Sequence, residues 1–335
     1  MESRRLAFQN FDGPFVTHGI DVISDLDRPE GEAVYIFAVN HVPNPTLPPS
    51  FVQGADRPPK ARSQIEIFHH VIGSSSLTHL RSVWHPLIRT PNDVLALNPH
   101  SFYVTNDHFY RERGLMRIIE ELNFNARWTD LVHIQLDPSA LSSTDVDLTA
   151  GVTATVAVPE MHNCNGLGHG RSPWEMVITG AVSGEMFVGE IASRDENHKV
   201  DLVDRVEVDA VADNPTYFAD PFAAAGGDDR SGFLLPGLAK AVNIAKTARD
   251  PDGKDPVMVW FVRPQPGPAS GSDSKEEPVL WERRLLFSDD GSRIRTASGS
   301  VLVAIDPATT GGERKAWLFV TGFASKNVIA VKVDL

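Results

Sequence analysis

Four short segments rich in Asn and Asp are the features of this sequence that could bind a metal ion. Their amide and carboxylate oxygens are hard donors, and calcium takes about six to eight such ligands. Asn and Asp also favour ordinary turns, so no single segment identifies a metal site. The segments lie beside apolar runs and are Asn92-Asp93, Asn106-Asp107, Asn163 with Asn165, and Asp213-Asn214.

Two histidine-containing motifs could supply a general base. They are His18-Gly19-Ile20 and Asn40-His41. Histidine titrates near neutrality, so it can accept a proton from water at ordinary pH. The glycine permits a close backbone approach or a positive φ. The chain has 12 histidines, and we interpret seven others as structural: His69, His70, His79, His85, His100, His133 and His198.

Several familiar catalytic signatures are absent from the sequence. It has no Gly-x-Ser-x-Gly elbow and no Gly-rich loop before Lys-Ser or Lys-Thr, which argues against an α/β-hydrolase and a P-loop enzyme. His162, Cys164 and His169 are metal-ligand types without paired spacing, so we expect loop packing there. Cys164 is the only cysteine, and no intrachain disulfide can form.

Composition indicates a globular protein and makes some partners improbable. Of its 335 residues, 41% are hydrophobic and 22% charged, and the net charge is −13. Such a charge disfavours nucleic acid and anionic membrane surfaces as partners. The first residues hold no apolar stretch of signal-peptide length, and no run of about 18 apolar residues occurs. We therefore expect a soluble chain without membrane contact, and its location stays open.

Short apolar runs with many β-formers dominate the chain and indicate an all-β fold. Several alternate with period 2 and end at Gly, Pro, Asn or Asp. The chain is too long for one sandwich of about 100 residues. The pairing of 93–97 with 101–105, and of 299–305 with 315–321, favours the four-stranded blades of a β-propeller. The predicted strands are 33–39, 64–71, 77–84, 93–97, 101–105, 131–136, 152–158, 174–179, 185–191, 257–263, 278–287, 299–305, 315–321 and 328–333.

Helices and insertions are expected only on the loops of this single domain, residues 1–335. Residues 111–123 have apolar side chains at helical spacing, and 238–248 are a second short candidate. The proline-rich stretch 43–59 and the polar stretch 264–278 resemble solvated insertions because such composition buries little surface.

Six motifs follow one another along the chain: His-Gly-Ile at 18–20, Val-Asn-His at 39–41, Asn-Asp-Val at 92–94, Phe-Tyr-Val-Thr-Asn-Asp-His-Phe-Tyr at 102–110, Asn-Gly-Leu at 165–167 and Asp-Asn at 213–214. In this order they resemble the serum paraoxonase/arylesterase family. The stretch 92–110 is the most specific part of the resemblance.

The resemblance implies a six-bladed propeller with two calcium ions in its central tunnel, one catalytic and one structural. It also implies roles for ten residues: Asn92, Asn165, Asp213 and Asn214 on the catalytic calcium, Asp93 and the Ile20 carbonyl on the structural calcium, His18 and His41 as a water-activating dyad, and Asp107 and His108 as support.

The sequence departs from the family pattern in three places. The family has an adjacent Glu-Asp ligand pair upstream of His-Gly-Ile, whereas Glu2 and Asp12 do not match it in position. We therefore expect a shortened first blade, about five blades plus part of another, weaker calcium binding and lower stability. The family's animal members join their chain ends by a disulfide that a single cysteine cannot form. Their His-Pro after Asp-Asn is also missing, and Leu235-Pro236 lies nearest.

The expected activity is calcium-dependent hydrolysis of a small ester or lactone, with phosphotriesters as a side reaction. Calcium would polarise the carbonyl, and His18 assisted by His41 would deprotonate water. Two alternatives stay open because a fold does not fix a function. One is a propeller that binds a ligand or protein without catalysis, or an inactive shortened family member. The other is a related enzyme that carries out condensation or isomerisation.

Overall fold

A computed structural model describes residues 4–46, 60–112, 114–142, 147–192, 198–223, 228–242, 244–265 and 279–335. The chain divides into two compact units. The first contains Met1–Cys164 and Ala192–Val200, and the second contains Asn165–Ile191 and Asp201–Leu335. Strands dominate both units, as the short apolar runs predict.

The first unit begins with a five-stranded sheet of order β1-β5-β4-β3-β2. Strands β2 to β5 form an antiparallel meander, and β1 adds to the outer edge in parallel with β5. The long β3 is buried along its middle, as expected of a strand covered on both faces. The strands are β1 Ala7–Gln9, β2 Thr17–Ser24, β3 Ala33–Pro43, β4 Ala61–Val71 and β5 Ser76–Val83.

A second, antiparallel sheet of order β6-β7-β8-β9 completes the first unit. Apolar side chains from the two sheets share one core, in which Phe37 and Ile65 of the first sheet cluster with Phe102 and Val132 of the second. Burial of this core supplies the main stabilising free energy of the unit. The strands are β6 Pro91–Asn98, β7 Ser101–Asn106, β8 Thr129–Leu136 and β9 Val152–Met161.

Three further sheets belong to the second unit. Their orders are β10-β11-β12-β13, then β14-β16-β17-β18 with β15 paired to β16, and β19-β20-β21. Two apolar clusters join neighbouring sheets, one around Val188 and Phe233 and one around Val259 and Leu318. The strands are β10 Cys164–His169, β11 Glu175–Gly180, β12 Glu185–Ile191, β13 Val200–Glu207, β14 Val211–Ala212, β15 Thr216–Phe218, β16 Gly232–Leu238, β17 Val257–Pro264, β18 Trp281–Asp289, β19 Ala297–Ile305, β20 Lys315–Gly322 and β21 Ile329–Asp334.

Each of the five sheets is a blade of three to five strands, so the all-β propeller class predicted from the sequence is confirmed, with five blades in the described residues. Both predicted hairpins form, β6 with β7 and β19 with β20. The assignment of residues 1–335 to one domain stays a prediction. The predicted insertions 43–59 and 264–278 lie mostly outside the described residues.

The helices are short and lie in connections between strands. Helix α1, Leu115–Leu122, connects β7 to β8 inside the predicted 111–123. The prediction of a helix over 238–248 is wrong at its start, because Leu238 ends β16 and pairs with Val257. Among the described residues of that stretch, only α2, Ile244–Thr247, is α-helical. Within the described residues, no helix is long and apolar enough to cross a bilayer. The part of the chain that the structure describes also has 3-10 turns at Ala140–Ser142 and Pro307–Thr309.

Candidate functional site

The two histidines predicted to act together are in contact. His18 lies on β2 and His41 on the adjacent β3, and His18 Nδ1 is 3.2 Å from His41 Nε2. The β2–β3 register shifts between Thr17 and Ile20. This bulge takes His18 out of regular alternation, a common means of re-aiming a side chain. The rings meet edge to face, with centroids 5.3 Å apart.

The surroundings of the pair favour neutral imidazoles. Burial lowers the pKa of His18 although part of the ring stays open to solvent. Burial, then the His18 ring, then the Arg111 guanidinium lower the pKa of His41 to about 4. Both shifts have the same direction because a low-dielectric environment disfavours the charged imidazolium. At neutral pH the pair therefore has unprotonated ring nitrogens that can accept protons.

A buried polar network fixes the strand that carries His41. Asn40 accepts a hydrogen bond from the Val16 amide at 2.8 Å and donates one to Glu66 at 2.8 Å. Burial by itself raises the pKa of Glu66, but hydrogen bonds from His79, Gln64, Ser82 and Asn40 together lower it. The ionised Glu66 thus holds several donors in place. His79, one of the histidines interpreted as structural, is among these donors.

The predicted metal ligands Asn92 and Asp93 pack against the strand that carries His18. An added Cβ on Gly19 would lie 2.2 Å from Asp93 Oδ1 and 2.6 Å from the Asn92 carbonyl oxygen. Only glycine permits that approach. This approach brings the Asn92-Asp93 turn next to the backbone at Ile20. The Ile20 carbonyl and Asp93 are the two predicted ligands of the structural calcium. The Thr105 hydroxyl accepts from the Asp93 amide at 3.0 Å and holds the turn.

Asp107 and His108, predicted as support, lie next to Asn92. Asn92 Nδ2 donates to Asp107 Oδ2 at 3.3 Å, and His108 Nε2 is 3.5 Å from the same oxygen. Burial raises the pKa of Asp107 to about 6. Burial also lowers the pKa of His108 to about 3, with smaller effects from Arg117 and His162. The first unit therefore groups the histidine pair, three predicted ligands (Asn92, Asp93 and the Ile20 carbonyl) and both supporting residues.

The second unit contains the other predicted ligands in a similar local arrangement. An added Cβ on Gly166 would lie 2.8 Å from Asn214 Cα and 2.9 Å from the Asp213 carbonyl oxygen. Gly166 follows Asn165 directly, so Asn165 is adjacent to the Asp213-Asn214 turn. The Thr179 hydroxyl donates to the Asp213 carbonyl at 3.1 Å and accepts from the Gly166 amide at 2.9 Å. Three of the four predicted catalytic-calcium ligands are thus close together.

The donor types in both groups suit a hard cation. Burial raises the pKa of Asp213 to about 7, and Asn214 Oδ1 is buried with no hydrogen-bond partner among the described residues. A cation would satisfy both oxygens, since buried polar atoms are normally paired. Across the described ranges, no three His, Cys, Asp or Glu side chains form a metal-binding group. The predicted ligands are mainly amide and carbonyl oxygens, which calcium accepts.

Sequence reasoning missed three hydroxyl residues that organise these groups. Ser63 Oγ lies 2.8 Å from His41 Nδ1, and Thr105 and Thr179 hold the two turns. Thr105 lies inside the motif at 102–110 without an assigned role, and nothing in the local sequence marks Ser63 or Thr179, because their contacts depend on strand register. The β3–β4 ladder places Ser63 directly opposite His41, so the correct register would have revealed it.

Comparison with known proteins agrees with two sequence motifs of the first unit, those at 92–94 and 102–110. Residues 50–157 match the family model described as Arylesterase. Asn92, Asp93, Asp107 and His108 lie within the matched range. The resemblance to serum paraoxonase/arylesterases predicted from the sequence is confirmed over part of the chain.

Curated relatives match this chain over a limited length. Serum paraoxonase/arylesterase 2 of Gallus gallus is 33% identical over 121 residues, which cover 36% of this chain and 28% of the relative. The Homo sapiens protein of the same name is 32% identical over 119 residues, or 36% and 27% of the two chains. Serum paraoxonase/lactonase 3 of Rattus norvegicus is 30% identical over 115 residues, or 34% and 26%. The matches thus span less than a third of each relative.

Solved structures align over most of the chain at low similarity. A luciferin-regenerating enzyme aligns with 95% of this chain and 90% of its own, at 11% identity and a TM-score of 0.38. The periplasmic gluconolactonase PpgL of Pseudomonas aeruginosa aligns with 90% of this chain and 67% of its own, at 12% identity and a TM-score of 0.34. The fold assignment rests on the sheets themselves.

Proposed function

We propose that this chain is a calcium-dependent hydrolase of small carboxylic esters and lactones. The neutral, hydrogen-bonded pair His18–His41 carries this proposal, because His18 lies on the strand that packs against Asn92 and Asp93. A base beside hard-oxygen donors is what metal-assisted attack of water on a carbonyl requires. The Arylesterase match adds independent support for ester-type substrates.

His18 is the general base in this proposal. The attacking water would transfer a proton to the His18 ring while the water oxygen bonds to the substrate carbonyl carbon. His41 would accept the N–H of His18 at 3.2 Å and stabilise the imidazolium that forms. The lowered pKa of both rings keeps them unprotonated before the reaction. Collapse of the tetrahedral species would then expel the alcohol oxygen, which takes the proton back from His18.

Candidate calcium ligands lie in both units. In the first unit Asn92 would bind the catalytic calcium, and Asp93 with the Ile20 carbonyl would bind the structural calcium. In the second unit the catalytic-calcium candidates are Asn165, Asp213 and Asn214, and the unpartnered Asn214 Oδ1 favours a cation there. When bound, calcium would polarise the substrate carbonyl and offset the charge that develops on its oxygen. Phosphoryl oxygens suit the same chemistry, so phosphotriesters are a proposed side substrate.

The test is hydrolysis of γ- and δ-lactones and of phenyl acetate with calcium, with a chelator, and after calcium is restored. Activity that follows calcium in this way is expected. His18→Gln should lower kcat by at least about 100-fold while calcium binding, measured by calorimetry, is retained. His100→Gln is the matched control, because His100 lies between β6 and β7 outside the histidine pair.

Two results would count against the proposal. A folded protein without activity in excess calcium would favour the alternative of a propeller that binds a ligand or protein without catalysis. A His18→Gln variant as active as the parent would remove His18 from the mechanism and leave the base unassigned.

A further inference from the structure

Ser63 is the third member of the hydrogen-bonded chain that contains the two histidines. The β3–β4 ladder pairs His41 with Ser63, so the two side chains project from the same face of the sheet. Ser63 Oγ is 2.8 Å from His41 Nδ1. Ser63 is 2% exposed, so bulk water has little access to compete for this contact.

A neutral histidine has one donor nitrogen and one acceptor nitrogen, and the partner of one nitrogen decides the role of the other. If His41 Nδ1–H donates to Ser63, then His41 Nε2 must accept. Within this series of three side chains, the proton that His41 Nε2 accepts is the one on His18 Nδ1. That leaves the lone pair of His18 on Nε2, the state a base needs. If Ser63 instead donates to His41 Nδ1, then His41 Nε2–H donates to His18 Nδ1. The proton of His18 is then on Nε2, which cannot accept one from water.

We propose that Ser63 is a positioning residue that fixes the histidine pair in the tautomers required for catalysis. The proposal rests on the proposed hydrolase function for its catalytic consequence, but the tautomers themselves do not depend on activity. In the step that Ser63 prepares, a water O–H bond breaks and its proton binds His18 Nε2. The remaining hydroxide oxygen bonds to the substrate carbonyl carbon. His18 then carries the positive charge, and its Nδ1–H still donates to the neutral His41.

The strand that carries Ser63 is tied to its neighbours on the sheet. The next residue on β4, Gln64, donates to Glu66 Oε1 at 2.7 Å, and Asn40 on β3 donates to the same oxygen at 2.8 Å. Ser82 of β5 also donates to Glu66, at 2.5 Å. These bonds tie three neighbouring strands together around Ser63. The fixed strands keep Ser63 Oγ within hydrogen-bonding distance of His41 Nδ1.

The experiment compares Ser63→Ala, Ser63→Thr and Ser101→Ala in the full chain. Ser101→Ala is the matched control, since Ser101 Oγ is 2.8 Å from His133 Nε2 in another sheet and is equally buried at 3% exposure. Nitrogen-15 NMR of labelled histidines reports the tautomer of each ring. Lactone hydrolysis with calcium gives kcat and KM, and thermal unfolding confirms folding.

In the parent we expect His41 protonated on Nδ1 and His18 on Nδ1. Ser63→Ala should shift His41 toward the Nε2–H tautomer and lower kcat roughly tenfold, with KM within about twofold. Ser63→Thr keeps the hydroxyl and should restore both readouts. Ser101→Ala should leave both unchanged even if it unfolds at a lower temperature.

The proposal is overturned if the His41 tautomer in Ser63→Ala equals that of the parent. It is also overturned if the tautomer shifts and kcat stays at the parent value. A parent without any hydrolysis would refute the proposed function, and the NMR comparison would still decide whether Ser63 fixes the tautomers.

Discussion

Replacing Gly19 with alanine tests whether the close approach of β2 to the Asn92-Asp93 turn organises a calcium site. The new methyl group would lie 2.5 Å from Asp93 Cα and 2.2 Å from Asp93 Oδ1. Ordinary contacts begin at 3.4 Å, so the Asp93 backbone would have to move by about 0.9 Å. Overpacking of this kind destabilises a fold by about 1–3 kcal/mol, and contact with backbone places the effect at the upper end.

The assay is thermal unfolding of parent and variant, each with a chelator and with excess calcium. We expect Gly19→Ala to unfold at least about 3 °C below the parent in chelator. The stabilisation by calcium should also shrink, because a displaced Asp93 weakens the site and ligand stabilisation depends on affinity. Gly13→Ala is the control, since its methyl group would meet only Phe11 ring carbons at 3.6 and 3.8 Å.

The outcome that would refute this reasoning is a Gly19→Ala variant with the parent's unfolding temperature in chelator and the parent's calcium response. Such a result would mean that Asp93 moves without penalty and that its position is unrelated to calcium. A loss of stability in chelator together with an unchanged calcium response would separate the two claims. The packing argument would then hold, and Asp93 would be removed from the ligand set.

Two further predictions concern the second unit and acid stability. Asp213→Asn should lower calcium affinity at least about tenfold by removing a buried carboxylate, whereas Asp209→Asn, at an exposed position, should not. Calorimetry measures the affinity of both variants. Equal calcium affinities in the two variants would exclude Asp213 as a ligand. Burial, then the charge of His198, lower the pKa of His133 to about 3, so between pH 6.5 and 3 the unfolded chain binds a proton that folded His133 does not. The free energy of unfolding should therefore fall as pH drops. In His133→Phe, the fall in this free energy between pH 7 and 5, measured by urea titration, should be smaller by about 2 kcal/mol. A fall equal to the parent's would contradict this prediction.

Strands with strong apolar runs could be predicted from the sequence, and those of mixed character could not. The predicted run 64–71 lies within β4 and 185–191 coincides with β12. By contrast, β10 contains Asn165 and two glycines, and β16 contains Pro236, so both look like turns. Their backbone pairing is stabilised by neighbouring strands, for example Pro236 opposite Val259. Tertiary pairing overrides local propensity in such strands.

The candidate site could likewise be predicted only in part. Motifs identify some of its residues, and strand register determines the others. Resemblance named His18 and His41, and the structure places them in hydrogen-bonding contact. The sequence leaves two roles open for Gly19, a close backbone approach or a positive φ, and the structure shows the close approach, to Asp93. Ser63 could not be found, because a serine in a strand carries no signal until the opposite residue is known. The calcium ligands and the catalytic roles stay predictions.

The parallel strand β1 affects how the first sheet emerges during synthesis. An uncovered strand edge invites pairing with other chains, and the outer edge of β5 is the last part of this sheet to leave the ribosome. Residues 7–9 cover that edge, with Ala7 opposite Ser76 and Gln9 opposite Thr78. Since β1 is made before β5, the covering strand is already available when the edge appears. A nascent chain can therefore complete this sheet, with the first part of its outer edge covered, before β6 to β9 have emerged from the ribosome.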